Sequence, residues 1–489
     1  MMNWKMWQKC VGKMGKKLPI FLFIFILLYV IGSLICYPML TKRHVLKQKE
    51  KYAEQAAKET VDRSASVRCL DDNTQALVYR LALIESAQRE LIMTTFDMSD
   101  GESGQDLMAA MLQAADRGVR IRLMVDGINA WLKLEKSDLF GAFSTHPNIE
   151  IRFYNPIRLT KLWKLNYRMH DKYLIADDTA YILGGRNSNN LFLGAYRDTY
   201  NIDRDLYVLE RTEKNASDVM QKKERNSLQD IKAYFEKIWV QPDQKIFRKK
   251  ETEKTKEGLA LLREHYKELQ TAYPEAFSET ETLLTQDLIR VDSIQFLHNP
   301  LYADEKVPVV YQRICQEMEQ GETILIQTPY IICDKGMYQD LSELCRAGKQ
   351  IEIITNAVES GANPWGCTDY LNERKSILKT GAGVYACMAG QSLHTKTVLI
   401  DDETSIVGSY NLDLRSTYLD TELMLLVKSK ELNKQLRDQA AAYQEKSAYE
   451  KAGKPSRIGS LYEKKEMSGM QKVIYSILRI LIRPIREVL

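Results

Sequence analysis

Two histidine–lysine pairs recur in the same register along the 489-residue chain. The first is His170-Asp-Lys172-Tyr-Leu-Ile-Ala-Asp177 and the second is His394-Thr-Lys396-Thr-Val-Leu-Ile-Asp401, both of the form HxKxxxxD. Gly184 and Asn187 follow the first histidine by 14 and 17 residues, and Gly408 and Asn411 follow the second by the same intervals. Imidazole can act as nucleophile and proton carrier, and an ammonium group is a compact countercharge, so a pair aimed at one spot suits a phosphate. The residues between Lys and Asp are apolar and partly β-branched, which predicts a buried strand ending in a tight turn. The two-residue period of a strand then puts His and Lys on one face. A single match could equally be a core histidine beside a surface lysine. Two of only six histidines in matching places predict one shared active site instead.

Carboxylates extend the repeat. Asp203-Arg-Asp205-Leu in the first half corresponds to Asp420-Thr-Glu422-Leu in the second, in strand-like segments whose alternate side chains share a face. A carboxylate on the far nitrogen of an imidazole fixes its tautomer. The matched positions favour Asp205 and Glu422 for this role over Asp203 and Asp420, the alternative being surface ion pairs.

Positioning these groups requires an α/β body. Residues 76–89 read as a helix, 90–96 as a buried strand, 105–117 as a helix closing at Gly118, 119–125 as a strand and 149–154 as a further strand. The same order returns as a strand at 322–327, a helix at 337–347 stopped by Gly348, and strands at 350–355 and 384–387. The βαβ order predicts parallel strands with helices on the sheet faces, and the recurrence predicts an internal duplication with one motif strand per half. Halves are expected at 69–212 and 293–448, joined by a charged connector, 213–292, whose helices near 226–239 and 254–272 read as a solvated surface layer. Phe235, Ile238 and Trp239 would pack the first of these onto the body.

The ends of the chain differ in chemistry from its middle. Residues 1–60 carry 11 Lys/Arg against 3 acidic residues and residues 451–489 carry 9 against 3, which leaves the middle at −10 although the whole chain is +4. An acidic body is a poor nucleic-acid footprint, whereas basic ends suit anionic lipid. After a basic tail, 1–17, the run 18–40 is apolar and uncharged, long enough to span roughly 30 Å of hydrocarbon. It reads as a single-pass anchor; a cleaved signal peptide fits less well, because the run is long and no small-residue cleavage site follows. Lysines flank it on both sides, so orientation is not given. A charged stalk, 41–68, follows. From Lys472 the polar residues Lys472, Ser476, Arg479, Arg483 and Arg486 form a narrow basic stripe on an apolar helix, the pattern of an interfacial helix, with core packing as the alternative and Pro484 as its end. Eight cysteines, at 10, 36, 69, 315, 333, 345, 367 and 387, make no CxxC pair, so neither a zinc site nor a disulfide framework is indicated.

The paired motifs, with Gly184-Gly185-Arg186-Asn187 and Gly408-Ser409-Tyr410-Asn411 behind them, resemble those of the phospholipase D superfamily over about residues 69–430. Ala114 to Leu123, His146 to Glu150, Arg168-Met169-His170 and the run Gly408 to Ser416 are similar to bacterial cardiolipin synthases of the phospholipase D type. Asp420, where those synthases commonly have Asn, and Ser188-Asn-Asn-Leu-Phe192 depart from the pattern and bear on the acceptor. The resemblance implies a duplicated α/β/α sandwich with one shared site. It implies a phosphohistidine on His170, with His394 as acid and base. Lys172, Lys396, Asn187 and Asn411, with Gly185 and Ser409, would hold phosphoryl oxygens, and Asp205 and Glu422 would orient the rings. Asp177 and Asp401 complete the catalytic signature, although their place at the strand ends suggests a structural role. No metal or other cofactor is needed, because two lysines supply countercharge. The implied partners are phosphatidylglycerol, a phosphatidyl donor and the cell membrane, with no nucleic acid; oligomeric state is not given. A hydrolase releasing phosphatidate is the alternative, and a nuclease or a membrane scaffold fits less well.

Overall fold

The computed structural model describes residues 20–46, 65–210, 226–302 and 305–489. The basic tail, most of the stalk and the start of the connector lie outside the described residues.

The first half forms a nine-stranded sheet. Strands β1 (Ser66–Leu70), β2 (Glu90–Thr95), β3 (Arg120–Asp126), β4 (Ile149–Tyr154), β5 (Tyr173–Ala176), β6 (Ala180–Gly184) and β7 (Asp205–Leu209) lie in the order β1-β7-β6-β5-β2-β3-β4, with Ile289–Arg290 and Lys245–Phe247 at its two edges. The second half supplies β8 (Ser293–His298), β9 (Thr323–Gln327), β10 (Gln350–Asn356), β11 (Gly383–Cys387), β12 (Thr397–Ile400), β13 (Thr404–Gly408) and β14 (Leu423–Lys428). These lie in the order β8-β14-β13-β12-β9-β10-β11, followed by Ser447–Glu450 and Arg457–Ile458. Adding seven to each label of the first order gives the second, so the duplication holds strand by strand.

Within these two sheets, among the described residues, only β2-β3-β4 and β9-β10-β11 run parallel. The motif strands β5 and β12 run antiparallel to β2 and β9 and fold back as hairpins onto β6 and β13. The sheets are therefore mixed, because a two-to-three-residue turn can join only antiparallel neighbours. Helices form where the patterning predicts them. Glu102–Asp116 and Lys335–Arg346 each end at a glycine in the left-handed region, Gly118 (φ 98°) and Gly348 (φ 93°), a conformation that favours glycine.

Three apolar clusters define the layers. One lies between the first sheet and its outer helices, and another between the second sheet and its own helices. The middle one draws Val67, Ile92 and Leu206 from one sheet and Leu325, Leu399 and Leu425 from the other, so the sheets share a core. The connector is more than a coat. Phe235, Ile238 and Trp239 of Ser227–Trp239 are buried, and Lys245–Phe247 and Ile289–Arg290 pair with β4 and β1.

Helix α1 (Ile20–Leu46) has the length and apolarity to cross a membrane. Its first residues are exposed apolar groups, whereas its later part lies on the body. There Tyr29 Oη donates to the Leu159 carbonyl (3.0 Å), Asn166 Nδ2 donates to the Leu34 carbonyl (2.8 Å), and Lys42 pairs with Asp334 (2.7 Å).

Candidate active site

Each histidine precedes its motif strand, and two equivalent ties join the halves there. Ser392-Leu393 pairs in parallel with Asn201-Ile202, and the His394 N–H donates to the Ile202 carbonyl (2.7 Å). On the other side Met169 bridges Thr421, the Thr421 N–H donates to the Arg168 carbonyl (2.9 Å), and the His170 N–H donates to the Thr421 hydroxyl (3.1 Å). Each histidine is thus fastened to the segment that bears the other half's carboxylate.

The ring contacts follow from these ties. His170 Nδ1 lies 2.9 Å from Glu422 Oε1, and His394 Nδ1 lies 2.5 Å from Asp203 Oδ2. A carboxylate on Nδ1 holds the proton there and leaves Nε2 as the reactive nitrogen. Phe96 and Phe192 meet the two rings edge-on at centroid distances of 5.1 and 5.0 Å. Lys172 donates to the His170 carbonyl, and Lys396 to the His394 carbonyl, with its ammonium 3.7 Å from Asp203.

Burial dominates the electrostatics. It pulls Lys172 down to about 7, against Glu422, and Lys396 down to about 8, against Asp203. Each lysine is also lowered by charge on its counterpart or raised by the other half's carboxylate, so the four groups act as one charge cluster. Burial pushes Glu422 up to about 8 against the pull of Lys172. Asp203 differs: burial raises it, but Lys396 and His394 outweigh burial and hold it well below the usual carboxylate range. Both imidazoles are depressed, first by burial and then by their own lysines, His394 to about 4. An anionic phosphodiester beside the lysines would relieve that depression.

The structure places the expected residues unevenly. His170, Lys172, His394, Lys396 and Glu422 come together as described. Asn187 and Asn411 are buried, and among the described residues the amide oxygen of each lacks a partner, as groups reserved for a ligand would. Asp205 is a correction: among the described residues it meets no imidazole, and its carboxylate instead pairs with the buried Arg80 (2.9 Å) and Arg186 (3.4 Å). Sheet register gives the reason. Gly184 pairs with Asp205 but Gly408 pairs with Met424, so Glu422 is matched by Asp203, two residues earlier.

Gly185 and Ser409 are also corrected, from phosphate ligands to supports for the carboxylates. A Cβ on Gly185 would come 2.3 Å from Asp203 Oδ1, and the Ser409 hydroxyl donates to Glu422 Oε2. Asp177 and Asp401 stand at the far ends of the motif strands and are not part of the catalytic cluster. Asp177 accepts the N–H groups of Gln88, Arg89 and Glu90 (2.8 Å each), and Asp401 accepts those of Glu322 (2.9 Å) and Thr323 (2.8 Å), which pins each hairpin to the start of β2 or β9.

Several residues in the site carry little sequence signal. Ser416 donates to Glu422 Oε1 (2.6 Å) and stands inside the run beginning at Gly408. Arg204 spans the halves, bonding Gln327 (2.9 Å) and Thr397 (3.1 Å) while holding Asp71 (2.8 Å). Asp420 is taken up by Arg415 (2.9 Å) and the Arg168 N–H (3.2 Å). Among the described residues no group of three or more His, Cys, Asp or Glu could hold a metal ion, and the seven described cysteines are free.

A two-fold duplicated α/β sandwich with a His–Lys pair from each half in one cluster defines the phospholipase D class. Its fold matches that of the phosphatidylserine synthase of Haemophilus influenzae over 90% of this chain and 100% of that one, with a TM-score of 0.61 at 16% identity. The family described as cardiolipin synthase, PLD-like domain, matches residues 81–239 and 314–443, and the chain belongs to this family. Cardiolipin synthase C of Escherichia coli is 26% identical over 399 residues, covering 74% of this chain and 81% of that protein. The major cardiolipin synthase of Bacillus subtilis is 25% identical over 359 residues, covering 73% of this chain and 64% of its own length. The protein is thus related to cardiolipin synthases, enzymes that modify phospholipids.

Proposed function

We propose that the chain is a membrane-bound phosphatidyltransferase that forms cardiolipin through a covalent phosphohistidine. The observation that carries this reading is the crossed pairing of His170 with Glu422 and His394 with Asp203, which ties up Nδ1 of each imidazole within one charge cluster and leaves Nε2 for the chemistry.

In this mechanism His170 Nε2 attacks the phosphorus of a phosphatidyl donor, and His394 protonates the departing headgroup oxygen. His394, now neutral, takes the proton of a phosphatidylglycerol hydroxyl. That oxygen attacks phosphorus, the P–N bond breaks, and His170 returns to its starting state. Lys172 and Lys396 offset the charge that builds on the phosphoryl oxygens, with Asn187 and Asn411 as neutral partners. Charge from these side chains suffices for the reaction, so no cofactor enters it. Asp420 is bound to Arg415 and the Arg168 backbone, so it acts on the acceptor through the Arg168–His170 segment.

Purified protein in vesicles of phosphatidylglycerol and phosphatidylethanolamine should yield cardiolipin, read by lipid mass spectrometry. Free headgroup and phosphatidate in its place would assign a hydrolase.

A further inference from the structure

We propose that the mouth of the active site is itself a bilayer-docking surface, built from the short helix Gly127–Lys133, the 157–165 segment and the C-terminal helix Gly469–Leu481. The body would then sit partly immersed and take its phosphodiester directly from the lipid plane. This rests on the lipid-transfer reading of the site and adds how substrate reaches it.

The first observation is the depth at which α1 is gripped. An apolar run needs about 20 residues to cross a bilayer. The body engages α1 from Tyr29 onward, eleven residues before the run ends at Leu40, so roughly 16 Å of the run lies beside the body. Ile31 and Leu40 still expose 40% and 63% of their surface there. A body held above the headgroups would leave this stretch in water.

The surface that meets α1 has the composition of a membrane interface. Leu159, whose carbonyl accepts the Tyr29 hydroxyl, is 77% exposed. Around it Arg158, Lys161 and Lys164 share the single carboxylate of Asp243, leaving an excess of positive charge. Next to this segment, Gly127 abuts the Tyr154 carbonyl and Pro156 and starts the Gly127–Lys133 helix, which presents Trp131 and Leu132 at 52% and 62% exposure. Tryptophan is enriched at the headgroup level. This helix borders the site: Lys133 pairs with Asp97 (2.6 Å), and the neighbouring Phe96 packs on His170.

The second half contributes a matching edge. In Gly469–Leu481, Tyr475 is buried against the body, while Met470, Val473, Ile474, Ile477, Ile480 and Leu481 form an exposed apolar face at helical spacing. The turn after it, Arg483–Val488, reaches α1 through the Glu487–Lys42 pair (2.8 Å). It reaches the site through Arg415, which donates to the Val488 carbonyl (3.0 Å) and holds Asp420. Core packing and interfacial lying are therefore both true of this helix, on opposite faces. Apolar faces of this extent at the foot of a membrane-crossing helix match a lipid surface in chemistry and in continuity.

The test uses the full-length protein in phosphatidylglycerol-containing vesicles, with a photoreactive diazirine amino acid replacing Leu132, Leu159 or Ile477. Leu261 and Ile458, which are 63% and 70% exposed elsewhere, serve as controls. Acyl-chain crosslinks several-fold above both controls at all three positions are expected, and crosslinking at control level would overturn the proposal. This readout needs no turnover, so it fails independently of the assigned reaction. A Leu132→Asp/Leu159→Asp variant should lose ~10-fold of its turnover on bilayer lipid and keep its turnover of a dispersed short-chain phosphodiester. Equal loss on both substrates, or no loss on either, would also overturn it.

Discussion

The two half-sites share a backbone plan and differ in how each carboxylate is held. On the His170 side, Glu422 accepts hydroxyl bonds from Ser409 and Ser416, and burial pushes it up to about 8. On the His394 side, the shorter Asp203 stands over Gly185, beside Lys396, and stays ionised. An ionised carboxylate on Nδ1 stabilises an imidazolium, the state needed to protonate a leaving group. Glu422, raised by burial, stabilises an imidazolium less strongly, which favours an uncharged His170 whose Nδ1–H it accepts and whose Nε2 can attack phosphorus. The difference teaches how a duplicated scaffold divides labour: the pairing geometry is kept while the charge balance changes, burial prevailing at Glu422 and Lys396 with His394 outweighing burial at Asp203. It supports His170 as nucleophile and His394 as acid and base.

The largest expected effects remove either ring. His170→Ala and His394→Ala should each lower turnover by ~10⁴-fold or more, and the double variant should fall little further because the rings act as one unit. Lipid product formation in vesicles measures this; additive losses would break the single-site account. The carboxylates come next. Asp203→Asn should cost ~10³–10⁴-fold in kcat by spoiling the tautomer. Asp205→Ala should leave activity per folded molecule near that of the parent but destabilise the protein by ~3–5 kcal/mol, because Arg80 and Arg186 would be buried without the carboxylate that offsets their charge. Paired kinetics and denaturant melts separate the two, and reversed effects would restore the sequence-based assignment.

Smaller changes sharpen the contrast. Gly185→Ser places a Cβ 2.3 Å from Asp203 and should cost ~10²-fold in turnover. Ser409→Gly, the reciprocal change, removes the bond to Glu422 and the one accepted from the Leu423 N–H (3.0 Å) but brings no clash, and should cost ~10-fold. The mildest effect is on pH. With free-enzyme values near 7 for Lys172 and 8 for Lys396, raising the pH through that window discharges both ammonium groups. Attraction for the phosphodiester then weakens, so kcat/KM should fall across pH 7–8 while kcat changes less. In Lys172→Gln the lower inflection should disappear.

Much of the fold was legible because its signals are local. Each motif strand is an apolar run between fixed punctuation, and Gly118 and Gly348 stop their helices by backbone conformation alone. The catalytic cations and Glu422 were legible for the same reason. The partner of His394 was not. Both halves read acid-x-acid before a leucine, and only the pairing of Gly184 with Asp205 against that of Gly408 with Met424 shows that the repeats are offset by two residues. The crossing of carboxylates between halves was also out of reach, because it depends on contacts such as Met169 with Thr421, 252 residues apart in sequence. Gly185 and Ser409 looked like phosphate ligands because a glycine-rich turn reads the same whether it admits a ligand or a neighbouring side chain.

The central claim is that one histidine from each half acts on the same phosphorus. A phosphatidyl donor with a p-nitrophenolate leaving group needs no protonation, so His394→Ala protein should release one equivalent of nitrophenolate and stop, with an acid-labile phosphatidyl group on His170 found by peptide mass spectrometry. Continued turnover at the parent rate, or label on any other residue, would contradict the account.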